Sequence, residues 1–263
     1  MIKIHENIEE LSTFASGLAV HVGPIALEYF KAPLAVEQKE DLSPVTIADR
    51  TVEDELRRVI AQTYPEHGIY GEEHGRENLE SEFIWVIDPI DGTKSFISGM
   101  PTFGTLIALL YQGSPIIGVI DMPALDERWM GISGKTTLRN NAQCKTSDCT
   151  SLNKATIYTT SPDMFDDAGW RSFDGVSKQA FMRRFGGDCY AYGLLASGHI
   201  DAVMEMSLEP YDFMALVPVV EQAGGTITDW QGNALTLQSD GKVVASASQS
   251  LHAEIISTIN KSD

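Results

Sequence analysis

The chain has 263 residues, of which 43% are hydrophobic and 21% are charged, a composition typical of a globular protein and not of a disordered or fibrous one. The net charge of −18 argues against binding to nucleic acid or to an anionic membrane, because both require basic surface patches. It does not exclude a phosphate substrate, since bound metal ions can reverse the sign of the local field.

Two amphipathic helices are predicted near the start of the chain. Apolar residues recur at steps of three and four from Ile8 to Tyr29, as they do on the buried face of a helix. Pro33 and the polar run from Glu37 to Ser43 predict a loop, and a second helix is expected to start at Thr46. Because Thr46 and Asp49 have the spacing of a capping box, Asp49 has a purely structural interpretation.

The next two predicted strands both lead into acidic residues. Gly68 to Gly71 is a short strand that ends at Glu72. Phe83 to Ile87 has the apolar run of a strand covered on both faces, and it continues into Asp88 and Asp91. Two carboxylates so close together repel each other unless a cation lies between them. Oxygen ligands without nearby His or Cys favour a hard ion, and we expect Mg²⁺.

A tight turn follows these two aspartates. Gly92 and Thr93 offer backbone N–H groups and a hydroxyl at a predicted helix start, where an anion such as phosphate would bind. The alternative interpretation is a helix cap, since Asp is common immediately before a helix. The residues alone leave both interpretations open.

The remainder of the chain alternates predicted strands and helices. We expect a hairpin from Phe103 to Met122, a strand over Arg128–Ile132 and a polar seam from Gly134 to Asn153. Beyond the seam we predict strands over Ala155–Thr160, Ile200–Met206, Thr226–Thr228 and Val243–Ala247, and helices over Pro162–Phe173, Asp188–Ser197, Asp212–Ala223 and Ser250–Ile259. Such alternation favours a layered α/β (α+β) sandwich, with subdomains over residues 1–140 and 141–263.

The cysteines and the N-terminal segment indicate the compartment. Cys144, Cys149 and Cys189 are odd in number and form no CxxC or Cys/His pattern, so neither a disulfide framework nor a zinc site is predicted. The first residues contain scattered acids and no apolar core of signal-peptide length. No apolar run approaches the roughly 20 residues of a membrane span. We therefore expect a cytoplasmic protein with no membrane partner.

Several motifs occur together in a defined order. Asp88-Pro89-Ile90-Asp91-Gly92-Thr93 follows a hydrophobic strand, Gly71-Glu72-Glu73 precedes it, and Tyr211-Asp212 and Ala223-Gly224-Gly225 lie downstream. In this order the chain resembles the inositol monophosphatase family of Mg²⁺-dependent phosphatases over nearly its whole length. Within that family it most resembles the histidinol-phosphatase branch, through the segments Asp41–Arg50, Phe96–Gly99, Glu127–Trp129 and Gly186–Tyr192. The resemblance implies an αβαβα sandwich and a homodimer.

The resemblance also implies a site with two or three Mg²⁺ ions. Glu72 and Asp88 would hold the first ion together with the backbone carbonyl of Ile90. Asp88, Asp91 and Asp212 would hold the second. Asp212 is also a candidate N-cap of the helix that follows it, and a capping carboxylate still has lone pairs for a cation.

The implied reaction is hydrolysis of a phosphate monoester by metal-activated water. Two cations can stabilise the attacking and leaving oxygens of an in-line displacement, so no protein nucleophile is required. Asp49, Thr93 and Glu72 are the implied catalytic residues, and our hypothesis is that Thr93 and Asp49 relay the proton of the attacking water. Gly92 and Thr93 would hold the phosphate, and Asp212 is a further expected substrate contact.

Two more carboxylates favour a substrate with a cationic end. Asp188 follows two glycines and Glu205 ends a predicted strand, and we expect both to contact the ammonium and imidazole of L-histidinol phosphate. Alternatively, Glu205 binds a sugar hydroxyl and Asp188 caps its helix. An inositol monophosphatase and a 3′-phosphoadenosine 5′-phosphate phosphatase are the alternative enzymes. A non-enzymatic protein that binds cations or sugar phosphates is the alternative from another class.

Overall fold

The computed structural model describes residues 2–32, 37–38 and 44–261. Its helices are α1 (Ile2–Tyr29), α2 (Ile47–Thr63), α3 (Thr93–Ser98), α4 (Asp167–Ser177), α5 (Asp188–Ala196), α6 (Pro210–Phe213), α7 (Leu216–Gln222) and α8 (Gln249–Ile259), with 3₁₀ turns at Leu152–Lys154 and Pro162–Met164. Its strands are β1 (Glu37–Gln38), β2 (Pro44–Val45), β3 (Gly68–Gly71), β4 (Gly75–Glu77), β5 (Phe83–Asp91), β6 (Gly104–Tyr111), β7 (Ser114–Met122), β8 (Glu127–Ile132), β9 (Lys135–Arg139), β10 (Ala142–Gln143), β11 (Thr156–Thr159), β12 (Met182–Phe185), β13 (Ala202–Glu205), β14 (Thr226–Asp229) and β15 (Val243–Ser246). Across these ranges we find no helix with both the length and the apolar character that crossing a bilayer requires.

The strands form two large mixed sheets and a small ribbon. The first sheet has eight strands in the order β10-β9-β8-β7-β6-β5-β3-β4, in which only β3 and β5 are parallel neighbours. The second has five strands in the order β12-β11-β13-β15-β14, in which β11 runs parallel to both of its neighbours. Strands β1 and β2 pair with each other as an antiparallel ribbon.

Three hydrophobic cores stack these elements in five layers. The first core lies between α1, α2 and one face of the eight-stranded sheet and contains Leu56 and Trp85. The second lies between the other face of that sheet, α5 to α7 and the five-stranded sheet, and it contains Trp129 and Phe213. The third joins the outer face of the second sheet to α4 and α8 around Phe173. The predicted αβαβα sandwich is confirmed.

Strand β5 positions Asp88 and Asp91, the two carboxylates of the motif Asp88–Thr93, which we call the central motif. It is buried from Ile84 to Ile90 because both faces of the sheet are covered at this point. Its pairing with β6 shifts register between Asp88 and Asp91, so the strand is irregular where the two carboxylates leave it. Gly92 has a φ of 79°, which a glycine adopts readily, and it turns the chain into α3.

The structure differs from the predicted elements in several places. The polar segment from 134 to 153, predicted as a seam, contributes β9 and β10 to the first sheet. That sheet therefore extends to Gln143, and a subdomain boundary near residue 140 remains a proposal. The predicted helix over 212–223 is divided into α6 and α7, since Pro218 cannot donate a hydrogen bond to the carbonyl of Met214. Most of the loop predicted before residue 44 lies outside the described residues.

Candidate active site

Three carboxylates meet where β5 ends. Asp88 and Asp91 lie in the last, turn-proximal part of that strand, of which Asp91 is the final residue, and Asp212 lies in α6. One carboxylate oxygen of each lies within 4.8 Å of those of the other two. Asp88 is only 2% exposed, and burial, followed by the charges of Glu72, Asp91 and Asp212, raises its pKa well above the usual range. Buried and partly buried carboxylates this close repel one another strongly unless positive charge is present.

The cluster has the donor set of a hard-cation site. Burial, followed by the charge of Asp188, raises the pKa of Asp91 to about 7. Burial and the charge of Asp91 also raise the pKa of Asp212. All the donors are oxygens, so a divalent cation such as Mg²⁺ fits the three carboxylates and would relieve their repulsion.

Asp212 has a different capping role from the one expected. The N-cap of α6 is Glu209, and Asp212 is the third residue of that helix. The backbone N–H of Glu209 donates to Asp212 Oδ2 over 2.7 Å. The expectation that Asp212 is the N-cap is therefore wrong by three positions, but the carboxylate still stabilises the helix start, and it lies in the acidic cluster.

Glu72 lies in the turn between β3 and β4, close enough to Asp88 to raise its pKa. The turn is held by Glu53 of α2, which has no exposed surface. Glu53 Oε2 accepts a hydrogen bond from the Glu73 N–H over 2.7 Å, and Arg57 Nε donates to Glu53 Oε1 over 2.8 Å. The sequence analysis did not identify Glu53. The available signal was a glutamate near the apolar face of α2, four residues before an arginine.

Asp49 is both a helix cap and a neighbour of the turn at Gly92 and Thr93, which we call the central turn. The backbone N–H of Thr46 donates to Asp49 Oδ2 over 2.8 Å, and Thr46 Oγ1 donates to the same oxygen over 2.7 Å. The predicted capping box is therefore confirmed. The other oxygen, Asp49 Oδ1, lies 3.4 Å from Thr93 Oγ1, which is in turn 3.2 Å from the Ile90 carbonyl oxygen. The two interpretations of Asp49 are compatible.

Asp188 packs directly against the central turn. A Cβ added to Gly92 would lie 2.8 Å from Asp188 Cγ, so only glycine fits at that position. The N-cap of α5 is Gly187, and the side chain of Asp188 does not cap its helix. Instead Asp188 Oδ2 accepts hydrogen bonds from the hydroxyls of Ser95 and Thr102, which the sequence analysis did not identify. Burial raises the pKa of Asp188.

Glu205 is enclosed by hydrogen-bond donors. It is 3% exposed, and burial raises its pKa. Its Oε1 accepts a hydrogen bond from the backbone N–H of Thr160 over 2.9 Å, and its Oε2 accepts one from the Tyr192 hydroxyl over 2.8 Å. Neither partner was expected from the sequence, because both contacts join segments that are distant along the chain.

Four of the predicted metal and substrate residues line one small cavity. Its volume is about 70 Å³, and four carboxylates line it, those of Asp91, Asp188, Glu205 and Asp212. The Cys189 N–H donates to Asp91 Oδ2 over 2.6 Å and so joins α5 to the acidic cluster. The arrangement combines a candidate cation site with further negative charge in the same wall.

Comparisons with known proteins agree with this fold. The model of the inositol monophosphatase family matches residues 7–263. The bifunctional phosphatase IMPL2, chloroplastic, of Arabidopsis thaliana is 47% identical over 243 residues, which is 90% of this chain and 70% of that protein. The histidinol-phosphatase of Chlorobaculum parvum is 34% identical over 248 residues, 94% of this chain and 95% of that protein. The solved structure of an inositol monophosphatase from Zymomonas mobilis is 41% identical and has a TM-score of 0.87 over 98% of both chains.

Proposed function

This chain belongs to the inositol monophosphatase family, and from that premise we propose that it is a Mg²⁺-dependent phosphatase that hydrolyses L-histidinol phosphate to L-histidinol and phosphate in histidine biosynthesis. The observation that carries the substrate proposal is the cavity wall, where Asp188 and Glu205 lie beside Asp91 and Asp212. Extra carboxylates disfavour a wholly anionic substrate and favour one that also carries positive charge. L-Histidinol phosphate has an ammonium and an imidazole, and the Chlorobaculum parvum relative is named for this activity.

The chain supplies enough oxygen ligands for two or three Mg²⁺ ions. Glu72, Asp88, Asp91, Asp212 and the Ile90 carbonyl would hold them, and three of these carboxylates already converge. When bound, the ions supply the positive charge that polarises the phosphate and activates water. Removal of the metal with EDTA is therefore expected to abolish activity.

Thr93 and Asp49 are proposed to move the proton of the attacking water. Thr93 Oγ1 is 3.4 Å from Asp49 Oδ1, so Thr93 can accept this proton as it passes its own to Asp49. The other oxygen, Asp49 Oδ2, accepts hydrogen bonds from the backbone N–H and the hydroxyl of Thr46, which fix the orientation of the carboxylate. The N–H groups of Gly92 and Thr93 would hold the phosphate where α3 begins, and Glu72 is the remaining proposed catalytic residue.

A phosphate-release assay tests the substrate. Purified protein with Mg²⁺ is given L-histidinol phosphate, inositol 1-phosphate and 3′-phosphoadenosine 5′-phosphate in parallel, with EDTA as the control. We expect kcat/KM to be at least about tenfold higher for L-histidinol phosphate. A preference for either other substrate would contradict the proposed substrate and leave the phosphatase assignment intact. No release from any of them would favour the non-enzymatic alternative.

Inositol 1-phosphate is the second candidate substrate. The Zymomonas mobilis relative is named an inositol monophosphatase, and it is 41% identical to this chain. Each Glu205 oxygen accepts one hydrogen bond and retains a lone pair that could accept another from a sugar hydroxyl. The same assay separates the two candidates.

We also propose that the protein is a cytoplasmic homodimer. The edge strand β12 carries exposed Met182 and Phe185, and the adjacent Phe181 is 75% exposed. Exposed apolar side chains on an edge strand form a surface that a second copy would cover. Sedimentation analysis should show a dimer that Phe181→Ser weakens, and a wild-type monomer would contradict this part of the proposal.

A further inference from the structure

Two hydroxyl groups converge on one oxygen of Asp188. Ser95 Oγ, on α3, donates to Asp188 Oδ2 over 2.6 Å. Thr102 Oγ1, in the segment that follows α3, donates to the same oxygen over 3.2 Å. The donors are 93 and 86 residues away from Asp188 along the chain. These contacts are therefore tertiary, and they join the segment after the central motif to the start of α5.

The remaining surroundings also restrict Asp188. Gly92 packs so closely that an added Cβ would lie 2.8 Å from Asp188 Cγ. The backbone φ of Asp188 is 47°, a left-handed conformation that is unfavourable for a non-glycine residue. A costly conformation of this kind persists where the surrounding contacts determine it. The side chain is therefore held in a single orientation in the cavity wall.

This orientation leaves one oxygen of Asp188 available to a ligand. Oδ2 is taken by the two hydroxyls, and within the part of the chain that the structure describes Oδ1 accepts no hydrogen bond and Asp188 forms no ion pair. Glu205 differs, because both of its oxygens already accept hydrogen bonds. Asp188 is thus better placed for direct contact with a cation, while Glu205 adds negative charge behind it.

We propose that Ser95 and Thr102 are positioning residues that fix Asp188 to receive the cationic end of the substrate, and that they thereby select phosphate monoesters that carry a cationic group over those that do not. This inference rests on the proposed function. Neutral hydroxyl donors suit the role, since they orient the carboxylate without adding to the positive charge of Lys94, which already acts on Asp188.

The test compares matched variants on two substrates. Ser95→Ala and Thr102→Val remove the hydroxyls singly and together, whereas Ser95→Thr and Thr102→Ser retain them. Ser98→Ala is the control, because Ser98 lies on the same helix and donates to the Ser95 carbonyl instead of to Asp188. For each variant, kcat and KM are measured with L-histidinol phosphate and with inositol 1-phosphate, and folding is checked by thermal unfolding.

The expected result is a change in selectivity. In the double variant, KM for L-histidinol phosphate should rise about tenfold, and the ratio of kcat/KM between the two substrates should fall by a similar factor. The hydroxyl-retaining variants and Ser98→Ala should keep the wild-type ratio. If the double variant does not fold, Thr102→Val alone should lower the ratio about threefold.

The other outcomes overturn the inference in distinguishable ways. If wild-type protein prefers L-histidinol phosphate and the hydroxyl-free variants keep that preference, the positioning role is wrong and the proposed function stands. If wild-type protein has no such preference, the proposed function fails first and the positioning role falls with it. If Ser98→Ala lowers the ratio equally, or the hydroxyl-retaining variants do not restore it, the effect is one of general packing.

Discussion

At Asp88 the requirements of stability and of function conflict. Burial and three neighbouring carboxylates disfavour its charged form, so at neutral pH it destabilises the metal-free protein. Asp88→Asn removes this charge and keeps the shape of the side chain. We expect the variant to be more stable than wild type in EDTA and to lose more than about 100-fold in kcat with Mg²⁺.

Thermal unfolding in EDTA and phosphate release with Mg²⁺ measure the two effects of Asp88→Asn. Asp148→Asn is the control, because Asp148 is an exposed residue paired only with exposed Lys145 among the described residues. Calorimetry provides a further check. An inactive Asp88→Asn protein that still binds Mg²⁺ with the wild-type stoichiometry would contradict the role of Asp88 as a ligand.

Individual site residues differ in how far the sequence reveals them. Asp88 and Asp91 could be predicted because they lie in one short motif after an obvious strand. Glu53, Ser95 and Thr102 could not, since each acts on a residue about 20 to 90 positions away and only the folded chain brings them together. Glutamate, serine and threonine are also common on surfaces, so residue type alone gives no signal.

At the scale of elements, α2 and β3 approach each other through a glycine. A Cβ added to Gly71 would lie 2.1 Å from Glu53 Oε1. Gly71→Ala should therefore displace Glu53 or the strand and cost about 1–3 kcal/mol of unfolding free energy. Gly17 of α1 is the matched site, since it is exposed and has nothing within 4 Å of an added Cβ.

Gly17→Ala is expected to stabilise the protein by about 0.5–1 kcal/mol, because alanine is the better helix former. Urea unfolding of both alanine variants measures the difference. Equal stability of Gly71→Ala and wild type would show that the contact between β3 and Glu53 adjusts without cost.

The packing of α8 on the second sheet includes a buried histidine. His252 Nδ1 lies 2.6 Å from Ser246 Oγ, and His252 Nε2 lies 2.8 Å from Thr228 Oγ1. Burial lowers the pKa of His252 to about 4. In the unfolded chain His252 becomes protonated below about pH 6.5, whereas in the folded protein it stays neutral until about pH 4. The free energy of unfolding therefore falls as the pH is lowered from about 6.5 to about 4.

His252→Gln should remove this contribution. Between pH 7.5 and pH 5, wild type is expected to lose about 2 kcal/mol relative to the variant, as measured by urea unfolding at both pH values. The comparison with the variant cancels the contribution of the carboxylates whose pKa is raised, which acts in the opposite direction. Parallel pH dependence of the two proteins would show that His252 has the same pKa in the folded protein as in the unfolded chain.

The long elements were predicted well, and the elements that were missed are short strands rich in polar residues. The helix from Ile8 and the strand from Phe83 have long apolar patterns, and both are present as α1 and β5. Strands β4, β9, β10 and β12 have five residues or fewer and many polar side chains, so no window of sequence shows their period. They form because a neighbouring strand offers hydrogen bonds, which is a tertiary cause.

At the scale of the whole molecule, a net charge of −18 acts on folding as well as on partner choice. Unscreened negative charge destabilises the compact state by self-repulsion, and salt reduces this effect at any site on the surface. Specific binding of Mg²⁺ at the acidic cluster adds a stabilisation that depends on affinity and not on ionic strength alone. The two contributions can therefore be separated.

We expect Mg²⁺ at about 100 times its dissociation constant to stabilise the protein by about 2.7 kcal/mol beyond NaCl of equal ionic strength. For a chain of this length, that corresponds to a rise in Tm of about 5–10 °C. Thermal unfolding in matched salts measures the difference. In Asp88→Asn the additional rise in Tm should disappear while the NaCl effect remains. The reason is that this substitution removes the carboxylate whose charge interacts with those of Glu72, Asp91 and Asp212. If NaCl alone reproduced the whole rise in wild type, the stabilisation would be screening, and the acidic cluster would not be a specific Mg²⁺ site.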